Sequence, residues 1–188
     1  MSKPFKEAFP TLQLDEELDH LLETTEVTKI SANHDHNHIR IYLRAERLIF
    51  KKNIWKIEKA ILEQIFQNRD IKVKIIESFE LSEQYTPQSL MDVYRDSIDE
   101  LNAYSVLEYN LLRTATMEFD QPHHMLLTMD ETIIAKTRTD EIVEFLEKVV
   151  CERCGMNLII QTAFRKPQES KYRKNSEKQI AQEVQSII

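Results

Sequence analysis

The sequence predicts an α+β fold made of two small α+β units, and three observations carry that expectation. Apolar residues switch between helical and strand periods in an order that occurs twice: helix, hairpin, helix, strand. A polar junction, SFELSEQYTPQ, separates the two runs. Charge is uneven as well: residues 1–80 hold 13 Lys/Arg against 14 Asp/Glu, residues 81–164 hold 6 against 15, and residues 165–188 hold 6 against 3. A chain of 188 residues has room for two small cores. The expected division is therefore 1–80, 81–166, and a charged linker, 167–188, that opens a missing C-terminal part.

In the first unit, Leu12, Leu14, Leu18, Leu21 and Leu22 recur at helical spacing, so Thr11 to Glu23 reads as an amphipathic helix. EVTKIS and HIRIYL alternate apolar and polar residues across ANHDHN, which reads as a hairpin with Val27, Ile30, Ile39, Ile41 and Leu43 facing inward. Asn53 is placed to cap a helix whose stripe is Ile54, Ile57, Ile61 and Ile65. IKVKII closes the unit as a strand.

The second unit begins at Thr86–Pro87, a helix-start signal, continued by Leu90, Val93, Tyr94, Ile98 and Leu101. A short helix over Ser105 to Leu112 follows, then strands TATMEF and MLLTMD across a turn marked by Pro122. ETIIAK reads as one short helical turn, and Asp140 as the cap of a stronger helix containing Ile142, Phe145, Leu146 and Val149. Gly155 stands where that helix stops, and NLIIQTAF is the last strand. Counted from Ser105 the order is helix, strand, strand, helix, helix, strand, which is that of a type II KH domain. AKTRTD, with Lys136 and Arg138, falls where such a domain carries its GxxG loop, but the glycines are missing. Beyond Arg165 the sequence is polar, and Ile180, Val184, Ile187 and Ile188 begin a helical stripe with nothing left to pack on.

Composition excludes much chemistry. With one glycine in the chain there is no Walker A loop, GxGxxG turn or nucleophile elbow. No apolar run approaches a membrane span. Two cysteines three residues apart make no disulfide framework, which points to the cytoplasm. No pairing of carboxylates, and no serine or cysteine with an accompanying base, marks a catalytic site, so no cofactor is expected in this chain.

Three groups remain as candidate sites. His34, His36 and His38 alternate in a way that suits metal binding on a strand, but they fall on a hairpin tip, where the period of two is lost; a solvated turn is expected. Cys151 and Cys154 form a C-x-x-C that, with His123 and His124, suits zinc. They end an apolar helix, which favours packing over a metal site or a thioredoxin-type pair. Arg40, Arg44, Arg47, Lys51, Lys52, Lys56 and Lys59 cluster within 20 residues, with Lys52, Lys56 and Lys59 on one helix face, as a grip for phosphates or an acidic partner requires.

Taken in order, FPTLQL, EVTKI, HIRIYLRAERLI, IEKAILEQIF and IKVKI, followed by HHMLLT and EIVEFLEKVVCERCGMNLIIQTAF, resemble the N-terminal non-catalytic region of the bacterial PolC-type DNA polymerase III alpha subunit. The resemblance covers residues 9 to 166. It implies a first domain similar to the alpha-binding domain of the clamp-loader tau subunit and a KH-like second domain, ahead of an OB-fold, a PHP domain with an inserted exonuclease and the polymerase core. Protein contacts with the rest of the polymerase and the clamp loader follow from it, as does contact with single-stranded DNA or RNA. The polymerase, exonuclease and PHP residues have no counterpart here. The alternatives are an independent single-stranded nucleic-acid-binding protein and a small zinc-binding adaptor using Cys151 and Cys154.

Overall fold

The computed structural model describes residues 2–67 and 70–166, and within them the chain is α+β with two separate sheets. The first sheet has the order β1-β2-β3-β4, with β1 Lys3–Pro4, β2 Thr25–Ala32, β3 His38–Ala45 and β4 Lys72–Phe79. β2 and β3 form the expected antiparallel hairpin, whereas β3 and β4 run parallel, joined by helix α3, Lys51–Ile65. A helix between two parallel strands must cross one face of the sheet. Ile54, Ile57 and Ile61 of α3 are accordingly fully buried, in one core with Ile41, Leu43 and Ile75. Each such side chain contributes about 1.5–3 kcal/mol relative to exposure.

Local physics moved several boundaries. The first amphipathic stretch is two short helices, α1 Phe5–Ala8 and α2 Glu16–Leu21, the second capped by Asp15, whose carboxylate accepts the Leu18 N–H at 2.8 Å. Leu12 and Leu14 still pack on the core from the intervening loop. Strand β1 has only two residues and left no period in the sequence. Ile30, expected inside, is half exposed although it lies opposite Ile41, because β1 reaches only Glu26 and Val27 of its strand. Asn53 does not cap α3: it lies buried inside the helix, and Phe50 holds the cap position without a side-chain bond. The Lys52 N–H instead donates to Asp96 Oδ2 at 3.4 Å, from 44 residues away. An acid at a helix N-terminus meets both the free N–H groups and the helix dipole. Burial raises the Asp96 carboxyl pKa despite the Lys52 and Lys51 N–H groups. Asp96→Ala should therefore cost about 1 kcal/mol, and Asp96→Asn, which keeps the acceptor, distinctly less, as read by thermal unfolding.

Thr86 caps helix α4, Pro87–Val93, in a reciprocal capping box with Ser89. A 3₁₀ segment, Arg95–Ala103, then carries Ile98 and Leu101 into the core, while Val93 turns outward. Helix α5, Val106–Thr114, leads to the second sheet, β5-β6-β7, built from β5 Thr116–Gln121, β6 His124–Asp130 and β7 Ile159–Arg165. β5 and β6 pair antiparallel across Pro122, and β6 and β7 parallel.

The paired helices expected around AKTRTD are a single helix, α6, Ile133–Glu147. Thr132 caps it, accepting the Ala135 N–H at 3.0 Å, so Asp140 is an exposed residue in mid-helix and not a cap. Neither glycine nor proline occurs between Ile133 and Glu147 to interrupt it. Lys136 and Arg138 consequently project from a helix and not from a loop. A π-helical turn, Lys148–Arg153, continues α6. Gly155, at φ 67°, then stops it, its N–H donating to the Cys151 carbonyl at 3.0 Å. The segment 167–188, with its expected linker and terminal stripe, lies outside the described residues.

Candidate partner and nucleic-acid surfaces

The hairpin tip is organised by Asn33. Its side-chain oxygen accepts the N–H groups of Asn37 and His38 at 3.0 and 2.9 Å, and the His36 N–H donates to the Asn33 carbonyl. His36 adopts φ 54°, and His34, His36 and His38 are all exposed. Among the described residues no three His, Cys, Asp or Glu side chains gather as a metal-ligand group. Replacing His34 and His36 together with asparagine should change stability by less than about 0.5 kcal/mol in urea denaturation, since Asn33, not either ring, satisfies the turn.

Cys154 is buried and Cys151 partly so. Burial pushes the Cys154 thiol up to about 12. The His123 ring meets the Asn157 carbonyl at 3.1 Å and is not directed at either sulfur by any bond. The C-x-x-C reads here as the packed end of α6.

The basic residues divide between two sides of the first unit. Lys52, Lys56 and Lys59 are exposed on α3, with Lys59 within 3.7 Å of Glu63 and Lys52 over the Phe50 ring. Arg40 and Arg44 lie on β3 between the inward residues Ile39, Ile41 and Leu43, so they face away from α3. The sheet therefore separates the two sets. Arg44 is tied to Glu26 at 2.6 Å and to Glu80 at 3.5 Å. On α6, Lys136 pairs with Glu131 at 2.7 Å, and Arg138 with Glu141 at 3.1 Å and Glu108 at 3.6 Å. The pairs with Glu131 and Glu141 are exposed and worth little in stability, whereas Glu108 is buried; all three reduce the positive field.

The dominant electrostatic feature did not show in the sequence. Lys51, fully buried at the start of α3, donates to Glu77 of β4 at 2.7 Å and lies 3.1 Å from Glu100 of the 3₁₀ segment. Arg153, from the end of α6, reaches the same two carboxylates at 3.1 and 2.9 Å. Lys74 adds a third cation to Glu100 at 3.0 Å, and the Tyr94 hydroxyl donates to Glu77 at 3.1 Å. Burial and the Glu77 charge raise the Tyr94 pKa, keeping the phenol a donor. Burial alone would raise Glu100, but Arg153, Lys51 and Lys74 outweigh it and hold the carboxyl at about 2. Every charge has an opposite partner, the condition under which buried ions are tolerated. One cluster thus joins the first sheet, the middle segment and the second unit.

Beside it, Glu58 of α3 accepts the Ile75 N–H of β4 at 2.7 Å, where that strand forms the sheet's free edge. Further along, a cavity of about 540 Å³ separates α4 and the 3₁₀ segment from β5, lined by Met91, Ile98, Met117 and Phe119 with Arg95 and Glu118 at its polar side. No helix among the described residues is long and apolar enough to cross a membrane.

No curated protein and no solved structure matches the chain. Residues 4–75 match the family described as DNA polymerase III polC-type N-terminus I. That stretch runs from Pro4 of β1 to Ile75, halfway along β4, and so takes in most of the first sheet and the helix packed on it. The first unit is thus similar to the N-terminus of PolC-type DNA polymerase III.

Proposed function

We propose that the chain is a non-catalytic N-terminal part of a PolC-type DNA polymerase III alpha subunit, which works in the cytoplasm to hold replisome proteins and to touch single-stranded nucleic acid during replication. The family match over residues 4–75 carries the reading. Geometry supports it in two ways. Glu77 and Glu100, central carboxylates that a catalyst would expose, are committed to Lys51, Lys74 and Arg153. The surface offers separate faces for partners: the lysine stripe of α3, the outer face of the first sheet and the groove beside β5. The KH-type role of the second unit is weaker in this reading, since Lys136 and Arg138 sit on a helix with carboxylates beside them.

In this reading residues 1–80 and 81–166 are two units joined by the ion cluster. Partner binding is therefore tested on the intact chain, because cutting at residue 80 strands Lys51 and Glu77 from Arg153. Purified clamp loader and the catalytic remainder of a PolC-type polymerase, each immobilised, should bind the 188-residue chain saturably. Absence of binding to both would remove the protein-contact half of the proposal.

A further inference from the structure

The outward face of the first sheet is open and positively charged in a chain whose net charge is −7. Strand register places its residues in rows. Lys29 lies beside Tyr42 and Tyr42 beside Ile76; Ser31, Arg40 and Lys74 form the next row; His38 and Lys72 the third. Rows are about 6.8 Å apart and strands about 4.8 Å. Lys29, Arg40 and Lys72 are exposed, and among the described residues no carboxylate lies within ion-pair distance of any of them. Glu26, the acid in the outward row of Arg44, is already bound by that arginine. At the centre, Lys29 Nζ lies 5.4 Å from the centroid of the half-buried Tyr42 ring, and Ile76 is exposed alongside.

We propose that this sheet face binds single-stranded nucleic acid, with phosphates against Lys29, Arg40 and Lys72 and a base against the Tyr42 ring and Ile76. The inference rests on the reading of the chain as a replication protein and assigns that reading a surface. A neutral ring and an aliphatic side chain ringed by cations match a polymer that alternates flat bases with phosphates. Lys29 can leave the ring for a phosphate and yield the ring face to the base. An acidic peptide fits less well. A peptide strand adds beside a sheet edge and does not cover the Tyr42 face, and at the β4 edge the Ile75 N–H is taken by Glu58 while Lys74 is tied to Glu100 of the adjoining 3₁₀ segment.

The test is fluorescence anisotropy of a labelled oligothymidylate of about fifteen nucleotides, titrated with the intact chain at about 50 and about 200 mM salt. Three cations give a salt slope near −2, so affinity should fall about fifteenfold between these conditions. Lys29→Gln with Arg40→Gln and Lys72→Gln should lose at least about tenfold, and Tyr42→Ala about fivefold or more, with unchanged thermal unfolding. Lys52→Gln with Lys56→Gln and Lys59→Gln should stay within about twofold. Loss confined to that helix variant would overturn the sheet proposal and leave the nucleic-acid reading standing. No binding by the unmodified chain at low salt would overturn both. Equal competition by polyglutamate, with Tyr42→Ala unaffected, would replace nucleic acid by an acidic protein as the occupant and so overturn the proposal.

Discussion

Glu77→Ala is expected to destabilise the protein by about 3–5 kcal/mol, because it leaves a fully buried lysine without its closest counter-charge. Lys51 Nζ would keep only Glu100, 3.1 Å away, which Lys74 and Arg153 already share. The Tyr94 hydroxyl loses its acceptor in the same step. Glu77→Gln keeps the shape but removes the charge and should lie between wild type and alanine. Urea denaturation at neutral pH measures both. A pair of apolar substitutions, Lys51→Met with Glu77→Leu, should cost less than Glu77→Ala alone, since removing both charges avoids a stranded ion.

Arg153→Met is expected to lose about 2–4 kcal/mol and to move acid unfolding to higher pH. The arginine binds Glu77 and Glu100 across the join between the two sheets, so its loss takes a cation from two buried carboxylates at once, leaving Lys51 to Glu77 and Lys51 with Lys74 to Glu100. Glu100 sets the pH dependence. Its folded pKa, about 2, lies below its ordinary value, so the folded state holds the ionised form more tightly than the unfolded chain does. That stabilisation is complete above about pH 4.5 and lost as pH falls towards 2. It amounts to about 2 kcal/mol, with water at the cluster's edge screening part of it. In Arg153→Met the carboxyl loses the strongest of its cations and its pKa rises towards the ordinary value, so this contribution shrinks at neutral pH, and the less stable protein unfolds at a higher pH. Unfolding followed by circular dichroism from pH 7 to 2 should show the shift.

What was legible in the sequence was whatever depends on neighbours in the chain. Thr86–Pro87 announced α4, Pro122 the β5–β6 turn, and Gly155 the end of α6, because caps and turns are set by a few adjacent residues. The isoleucine stripe of α3 was likewise visible as a period. What was hidden depends on residues far apart. Asn53 looked like a cap because it precedes an apolar stripe, yet the acid that serves α3 is Asp96. Asp140 looked like a cap for the same reason, and Thr132 took the place eight residues earlier. Lys51 counted as one more surface cation until Glu77 and Glu100 enclosed it, and Arg153 was hidden inside a C-x-x-C. The candidate surface shows the same limit. Arg40 and the α3 lysines are close in sequence but lie on opposite sides of the sheet, and the partners of Arg40 in its row, Ser31 and Lys74, come from other strands.

The open sheet face and the groove beside β5 keep a fixed relation to a partner only when the two units are held as one body. A double-mutant cycle between Glu77→Gln and Arg153→Met measures this most directly, by denaturation at pH 7. The shared cluster predicts a coupling energy of at least about 1.5 kcal/mol between residues 76 positions apart in the chain. Additive effects, with coupling below about 0.5 kcal/mol, would contradict it.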